Sequence, residues 1–237
     1  MKKIIILILM LSISGIGYCQ VGEYRNNLCI GVNAGFTMNK IGFDPIIAQK
    51  YHTAPTFGLT FRYTSEKFLT AYCALQVDLN YMRLGWTEDV LDSNSQPLPD
   101  SFKSNIDYLQ IPFLTRLAWG KEKKGAMFYI LLGPQIGYCI SENKEFSEQW
   151  TLIEGTNIPN RPNNLHAQYD LSIKNKFDYG ITGGAGLEVN TSLGHFLIEG
   201  RYYYGLSDIF GNSKKDTFSR SNHGAIIAKL TYLFDIN

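Results

Sequence analysis

From residue 28 to the C-terminus, the chain alternates large apolar residues with small or polar ones at period two, segment after segment. Successive side chains of a β-strand point to opposite faces, so this pattern describes strands with one greasy face and one polar face. Eight segments are predicted, at about 28–38, 55–65, 70–85, 105–119, 127–141, 176–190, 194–207 and 222–235. The first, LCIGVNAGFTM, sets Leu28, Ile30, Val32, Ala34, Phe36 and Met38 against Cys29, Gly31, Asn33, Gly35 and Thr37. The third sets Cys73, Leu75, Val77, Leu79 and Tyr81 against Ala74, Gln76, Asp78, Asn80 and Met82. No helical period persists over any long window. The fold is all-β.

Alternation alone does not say which face is inside. A soluble lipocalin-like carrier would turn the apolar set inward; a transmembrane barrel would turn it to lipid. The connectors, at about 39–54, 66–69, 86–104, 120–126, 142–175, 191–193 and 208–221, read long, short, long, short, long, short, long. Short periplasmic turns and longer outward loops are the mark of outer-membrane barrels. The polar face argues the same way. A water-facing surface is rich in Lys and Glu, whereas this face is mostly Gly, Ala, Thr, Asn, Gln and Tyr, with a sparse mixed-sign set. That set is Arg62, Asp78, Arg116, Glu188, Glu199, Arg201 and Lys229. In HFLIEGRYYYGL, Glu199 and Arg201 share a face opposite Phe196, Ile198, Tyr202, Tyr204 and Leu206. Buried charges persist when partnered and hydrogen-bonded, and an eight-stranded barrel is just wide enough for side chains to fill it. The expectation is an eight-stranded antiparallel up-and-down transmembrane β-barrel whose lumen holds this charge network.

The N-terminus gives the compartment. Lys2 and Lys3, an apolar run from Ile4 to Leu11, and Gly17 and Cys19 before Gln20 form a signal peptide over 1–19. The run is too short to cross about 30 Å of hydrocarbon as a helix. A lipoprotein reading would lipidate Cys19, but the bulky Tyr18 precedes it. Residues 20–237 then form one barrel domain. Lys and Arg number 22 against 21 Asp and Glu, which excludes a nucleic-acid binder or polybasic membrane patch. Three cysteines remain after cleavage, Cys29, Cys73 and Cys139, without CxxC spacing, and the four histidines show no HxH or HxxxH pairing. No disulfide framework, metal site or cofactor is expected.

Lesser features follow the same frame. Trp86 is expected on the outer rim and Trp119 on the inner rim, with Tyr63, Phe68, Phe128 and Phe196 in an aromatic girdle near the inner turns. Pro112 and Pro134 donate no ladder bond, which predicts a bulge or a local break at each. Leu230, Tyr232 and Phe234 alternate near the C-terminus like the aromatic signal read by outer-membrane assembly machinery.

At YLQIPFLTRLAWG, YILLGPQIGY, FDYGITGGAGLEV and IEGRYYYGLSDI the sequence resembles the PorT-like outer-membrane β-barrel family of Bacteroidota, over the whole mature chain and in order. The resemblance implies an outer-membrane barrel, and through the namesake an association with type IX secretion. It supplies no catalytic motif, and kinship of fold is a weak warrant for function.

The expected function is that of a structural and interaction module of the outer membrane, acting through its outer loops. A component of type IX secretion and a narrow solute pore are the alternatives. The 142–175 segment, with Trp150, Ile153, Ile158 and Leu165 among polar residues, is the candidate contact surface, since loops this long are usually functional or disordered. Expected partners of this monomer are membrane lipid, the assembly machinery and other envelope proteins. A lipid-modifying enzyme would need His166, Asp170 and Ser172, or His223 with Ser219 or Ser221, to converge at one rim; no GxSxG-like motif supports it.

Overall fold

A computed structural model describes residues 22–91, 94, 96–147, 154, 166–211 and 216–236. The segment 1–19, expected to be a signal peptide, and the candidate contact residues Trp150, Ile153, Ile158 and Leu165 lie outside the described residues. Strands β1 (Glu23–Asp44), β3 (His52–Phe68), β4 (Ala71–Leu91), β5 (Pro97–Gly120), β6 (Gly125–Phe146), β7 (Phe177–Thr191), β8 (Gly194–Gly205) and β9 (Arg220–Asp235) form one sheet. A two-residue strand, β2 (Gln49–Lys50), leans on the rim of β4, and one helical turn, α1 (Ala167–Asp170), precedes β7. Every long strand pairs antiparallel with its neighbours, β9 returns to β1, and β4 pairs β5, so the eight close into a ring. Over the length that all eight strands share, closure leaves no free edge.

The faces separate as the alternation requires. Leu28, Val32 and Phe36 are exposed while Cys29, Asn33 and Thr37 are buried; on β8, Phe196, Ile198, Tyr202 and Tyr204 are exposed while Leu197, Glu199, Arg201 and Tyr203 are buried. The apolar set therefore points outward, and the lipocalin-like arrangement, which needs it inward, is not the one observed. On β1 the outward apolar run spans residues 28–38, the length a tilted strand needs to cross a bilayer core, about 9–11 residues. Phe68, Phe128 and Phe196 are exposed near the turn end; Tyr81, Tyr138, Tyr179, Tyr202 and Tyr204 ring the other border.

The strands do not stop at that border. β4 and β5 continue to pair from Arg83↔Asp107 to Asp89↔Ser101 and Leu91↔Pro97. The expected long loop over 86–104 is thus mostly strand, leaving residues 92–96, and β1 likewise extends to Asp44, leaving 45–51 before β3. Only 147–176 and 206–219 remain long connectors. In this extension the two faces exchange character. Outward positions now carry Arg83, Thr87, Asp89, Lys103 and Asp107, and inward ones carry Leu84, Trp86, Val90, Phe102 and Ile106. The cause is the solvent. Where lipid surrounds the barrel, apolar residues face out; where water surrounds it, they turn in and make an ordinary core. Trp86 accordingly sits fully buried inside the barrel mouth, not on the outer rim.

Neither proline makes a bulge. Pairing lapses beside Pro112 on both of its neighbours, and on the β5 side of Pro134, but resumes in the same register. Pro134 still aligns with Ile181 in an unbroken β6–β7 ladder. The bulge in this part of the wall falls instead between Asp107 and Tyr108, with Ile140 as the extra residue opposite.

Candidate functional site

The inward-facing residues of the lipid-embedded half fill the bore with charge. All seven of the charged residues singled out from the sequence are buried, and they fall into two groups. In the first, Asp78 Oδ2 accepts from Arg201 Nη1 at 2.6 Å and from Lys229 Nζ at 2.8 Å. Glu199 Oε1 accepts from Arg201 Nη2 at 2.8 Å and lies 3.5 Å from Lys229 Nζ. Two cations and two anions, from β4, β8 and β9, thus form a closed, neutral quartet. The second group lies toward the turns, where Glu188 holds Arg62 at 2.8 Å and also bonds Arg116. Tyr129 joins the groups: its hydroxyl donates to Glu199 at 3.1 Å, and its ring lies 4.0 Å under the Arg116 guanidinium. Gly186 makes that placement possible, because a Cβ there would come within 2.5 Å of the Tyr129 ring.

Above the quartet runs a polar layer of which the sequence reading singled out only His223, and in another role. Asp178 accepts from Tyr203 at 2.7 Å and from Ser207, and His223 Nε2 sits 3.2 Å from the Tyr108 hydroxyl. Higher still, the apolar core of the extension closes the mouth. Phe43 packs on Trp86 with ring centroids 5.2 Å apart and on Phe218 at 4.9 Å; Trp86 meets Phe210 at 5.9 Å, and Phe102 meets Tyr169 at 4.9 Å. Phe210 and Phe218 come from the 206–219 connector and Tyr169 from α1, so both long connectors fold apolar residues down into the barrel. The buried Glu88 anchors this lid: Tyr169 Oη donates to it at 2.7 Å, while Lys144 Nζ donates to the carbonyls of Tyr169 and Leu171. The sequence carries a signal for this lid, the change of alternation phase after Tyr81, where Met82, Leu84 and Trp86 take over as the apolar set.

At the turn end the bore opens into a cavity of about 230 Å³, lined among others by Arg62, Tyr72, Arg116, Glu188, His195 and Asp235. Arg62, Arg116 and Glu188 of the second charge group line it. At the other end, the described contacts of the residues an enzyme would use run to other groups. Ser219 Oγ bonds the Asp44 carboxylate at 2.6 Å and Ser221 Oγ accepts from the Phe210 amide at 3.2 Å, while His223 faces Tyr108. His166 faces the Tyr169 ring, centroids 6.4 Å apart.

The model of the outer membrane protein beta-barrel domain family matches residues 20–211. No curated protein matches significantly. Among solved structures, OprG from Pseudomonas aeruginosa is similar at a TM-score of 0.45 and 12% identity, covering 90% of this chain and 98% of that one. Ail, the attachment invasion locus protein of Yersinia pestis, gives 0.38 and 13%, covering 89% and 100%. Neisserial surface protein A gives 0.40 and 10%, covering 87% and 97%. Likeness at this level carries no information about activity. The closed eight-stranded ring, its lipid-facing apolar band and the family match over most of the length lead to one conclusion: the chain belongs to the outer membrane protein beta-barrel domain family and resides in the outer membrane.

Proposed function

We propose that this protein is a sealed barrel that acts by contact at the cell surface and passes no solute. The observation carrying this reading is the double closure of the bore, by the ion-paired groups at membrane depth and by the Phe43–Trp86–Phe102–Phe210–Phe218 core above them. The raised wall of β1, β4, β5 and β6, polar outside and packed inside, supports this reading by presenting a rigid platform above the membrane. Binding residues are commonly carried on loops that such a scaffold positions. The 148–165 stretch, with Trp150, Ile153, Ile158 and Leu165, is the candidate contact segment.

Planar-bilayer recording tests the seal: pure protein should give no steady conductance, and ion-selective channels would overturn the reading. A cell carrying the barrel with 148–165 replaced by a short Gly/Ser connector tests the contact role. That barrel should assemble, yet behave as the deletion does in a survey of surface proteins. Restoration to wild type would remove the segment from the proposal. The resemblance to PorT-like barrels favours a second reading, a role in type IX secretion; cargo held in the periplasm of the deletion strain would select it.

A further inference from the structure

The cavity at the periplasmic end has a corner that neither the seal nor the surface platform uses. Cys29 from β1, His195 from β8 and Asp235 from β9 meet there, each offering one ligand atom, with all three atoms within 4.8 Å of one another. Cys29 Sγ lies 3.1 Å from Asp235 Oδ1, and His195 Nε2 lies 3.2 and 3.3 Å from the two Asp235 oxygens. Ligands bound at 2.0–2.3 Å around a tetrahedral ion stand roughly 3.3–3.8 Å apart, so a small inward or outward adjustment suffices.

The surroundings are arranged as well as the ligands. A metal-binding histidine donates its other ring N–H to a carboxylate or carbonyl, which fixes the tautomer. His195 Nδ1 lies 2.7 Å from Asn190 Oδ1 and 2.8 Å from Glu188 Oε1, leaving Nε2 for the ion. Asn27 Nδ2 holds the Asp235 carboxylate at 3.0 Å, and Arg62 Nη2 donates to the Cys29 sulfur at 3.2 Å. Arg62 shares Glu188 with Arg116, so this group carries one positive charge in excess, which favours the thiolate form of Cys29 beside it.

We propose that Cys29, His195 and Asp235 bind a divalent transition-metal ion of zinc type, entering from the periplasm, with the fourth position open to the cavity. One thiolate, one imidazole and one carboxylate suit Zn²⁺ and Co²⁺ over Mg²⁺ or Ca²⁺, which take oxygen ligands. Binding exchanges the Cys29 proton for the metal and releases it to solvent. The competing state is a purely structural one, in which His195 bridges Glu188 and Asp235 and no metal enters.

The test is a Co²⁺ titration of the full mature protein in detergent micelles, each sample first checked for folding by its gel shift on boiling. Wild type should bind one equivalent with a thiolate-to-cobalt charge-transfer band, displaced by Zn²⁺. Cys29→Ser should lose the band, and Asp235→Asn, at the exposed rim, should weaken binding by about tenfold or more. Cys73→Ser and Cys139→Ser should match wild type. Absence of stoichiometric binding in the wild type, or a band that survives Cys29→Ser, overturns the assignment.

Discussion

Removing one anion from the neutral quartet at the barrel centre should unbalance it, and removing a cation as well should restore it. Asp78 is completely buried and accepts from both Arg201 and Lys229. Asp78→Asn keeps the shape but leaves two cations against Glu199 alone, a net charge of plus one on side chains buried from solvent. Deleting one partner of a buried pair costs about 3–5 kcal/mol, chiefly from the charge left behind. Lys229→Met creates the opposite imbalance, Arg201 against two carboxylates, and should cost a similar amount. Asp78→Asn combined with Lys229→Met leaves Arg201 and Glu199 bonded at 2.8 Å as a neutral pair. The double variant should therefore be more stable than either single one, with a coupling energy of at least about 2 kcal/mol, toward the upper end of what contacting residues show. Urea unfolding in lipid vesicles, followed by tryptophan fluorescence, measures all four corners of the cycle. Additive losses within about 0.5 kcal/mol would refute the reasoning, because independent sites behave that way and members of a charge-balanced group do not.

Other perturbations probe the rest of the molecule. Leu79→Arg, on the lipid face, should cost about 2–4 kcal/mol and impair insertion, whereas Arg83→Leu, four residues further on the same face but in the water-facing extension, should cost less than about 1 kcal/mol because the contacts it removes, to Asp107 and the Tyr81 hydroxyl, are partly exposed. Vesicle-insertion yield and unfolding together check the pair, and equal losses would misplace the membrane border. Trp86→Ala should lose about 3–5 kcal/mol of local packing and expose the long connectors to protease added outside the cell, while the barrel still assembles. Gly186→Ala should cost about 1–3 kcal/mol by overpacking against Tyr129, read as a drop in the urea midpoint; no change would mean that Tyr129 has room to move.

The period-two pattern was enough to determine the strands of the ring and their two faces, and the connector lengths with the scarcity of Lys and Glu on the polar face decided which face turns to lipid. In the lipid-embedded half the rule is local: a residue's partner is lipid or lumen according to the parity of its position, as with Leu79 and Asp78. The seven lumen charges were legible for the same reason, since no lipid-facing position tolerates them. Their partners were not. Asp78 and Lys229 are 151 residues apart in sequence, and only ring closure and strand stagger bring them to 2.8 Å. The prolines show the same limit, because whether a missing N–H forces a bulge depends on which neighbour faces it. The extension escaped because its alternation changes phase where water replaces lipid, so Trp86 and Phe102 read as loop residues until pairing between β4 and β5 is seen to continue past them. The corner formed by Cys29, His195 and Asp235 belongs wholly to the tertiary structure. Those residues share no motif, and they meet because β1, β8 and β9 are neighbours where the barrel closes.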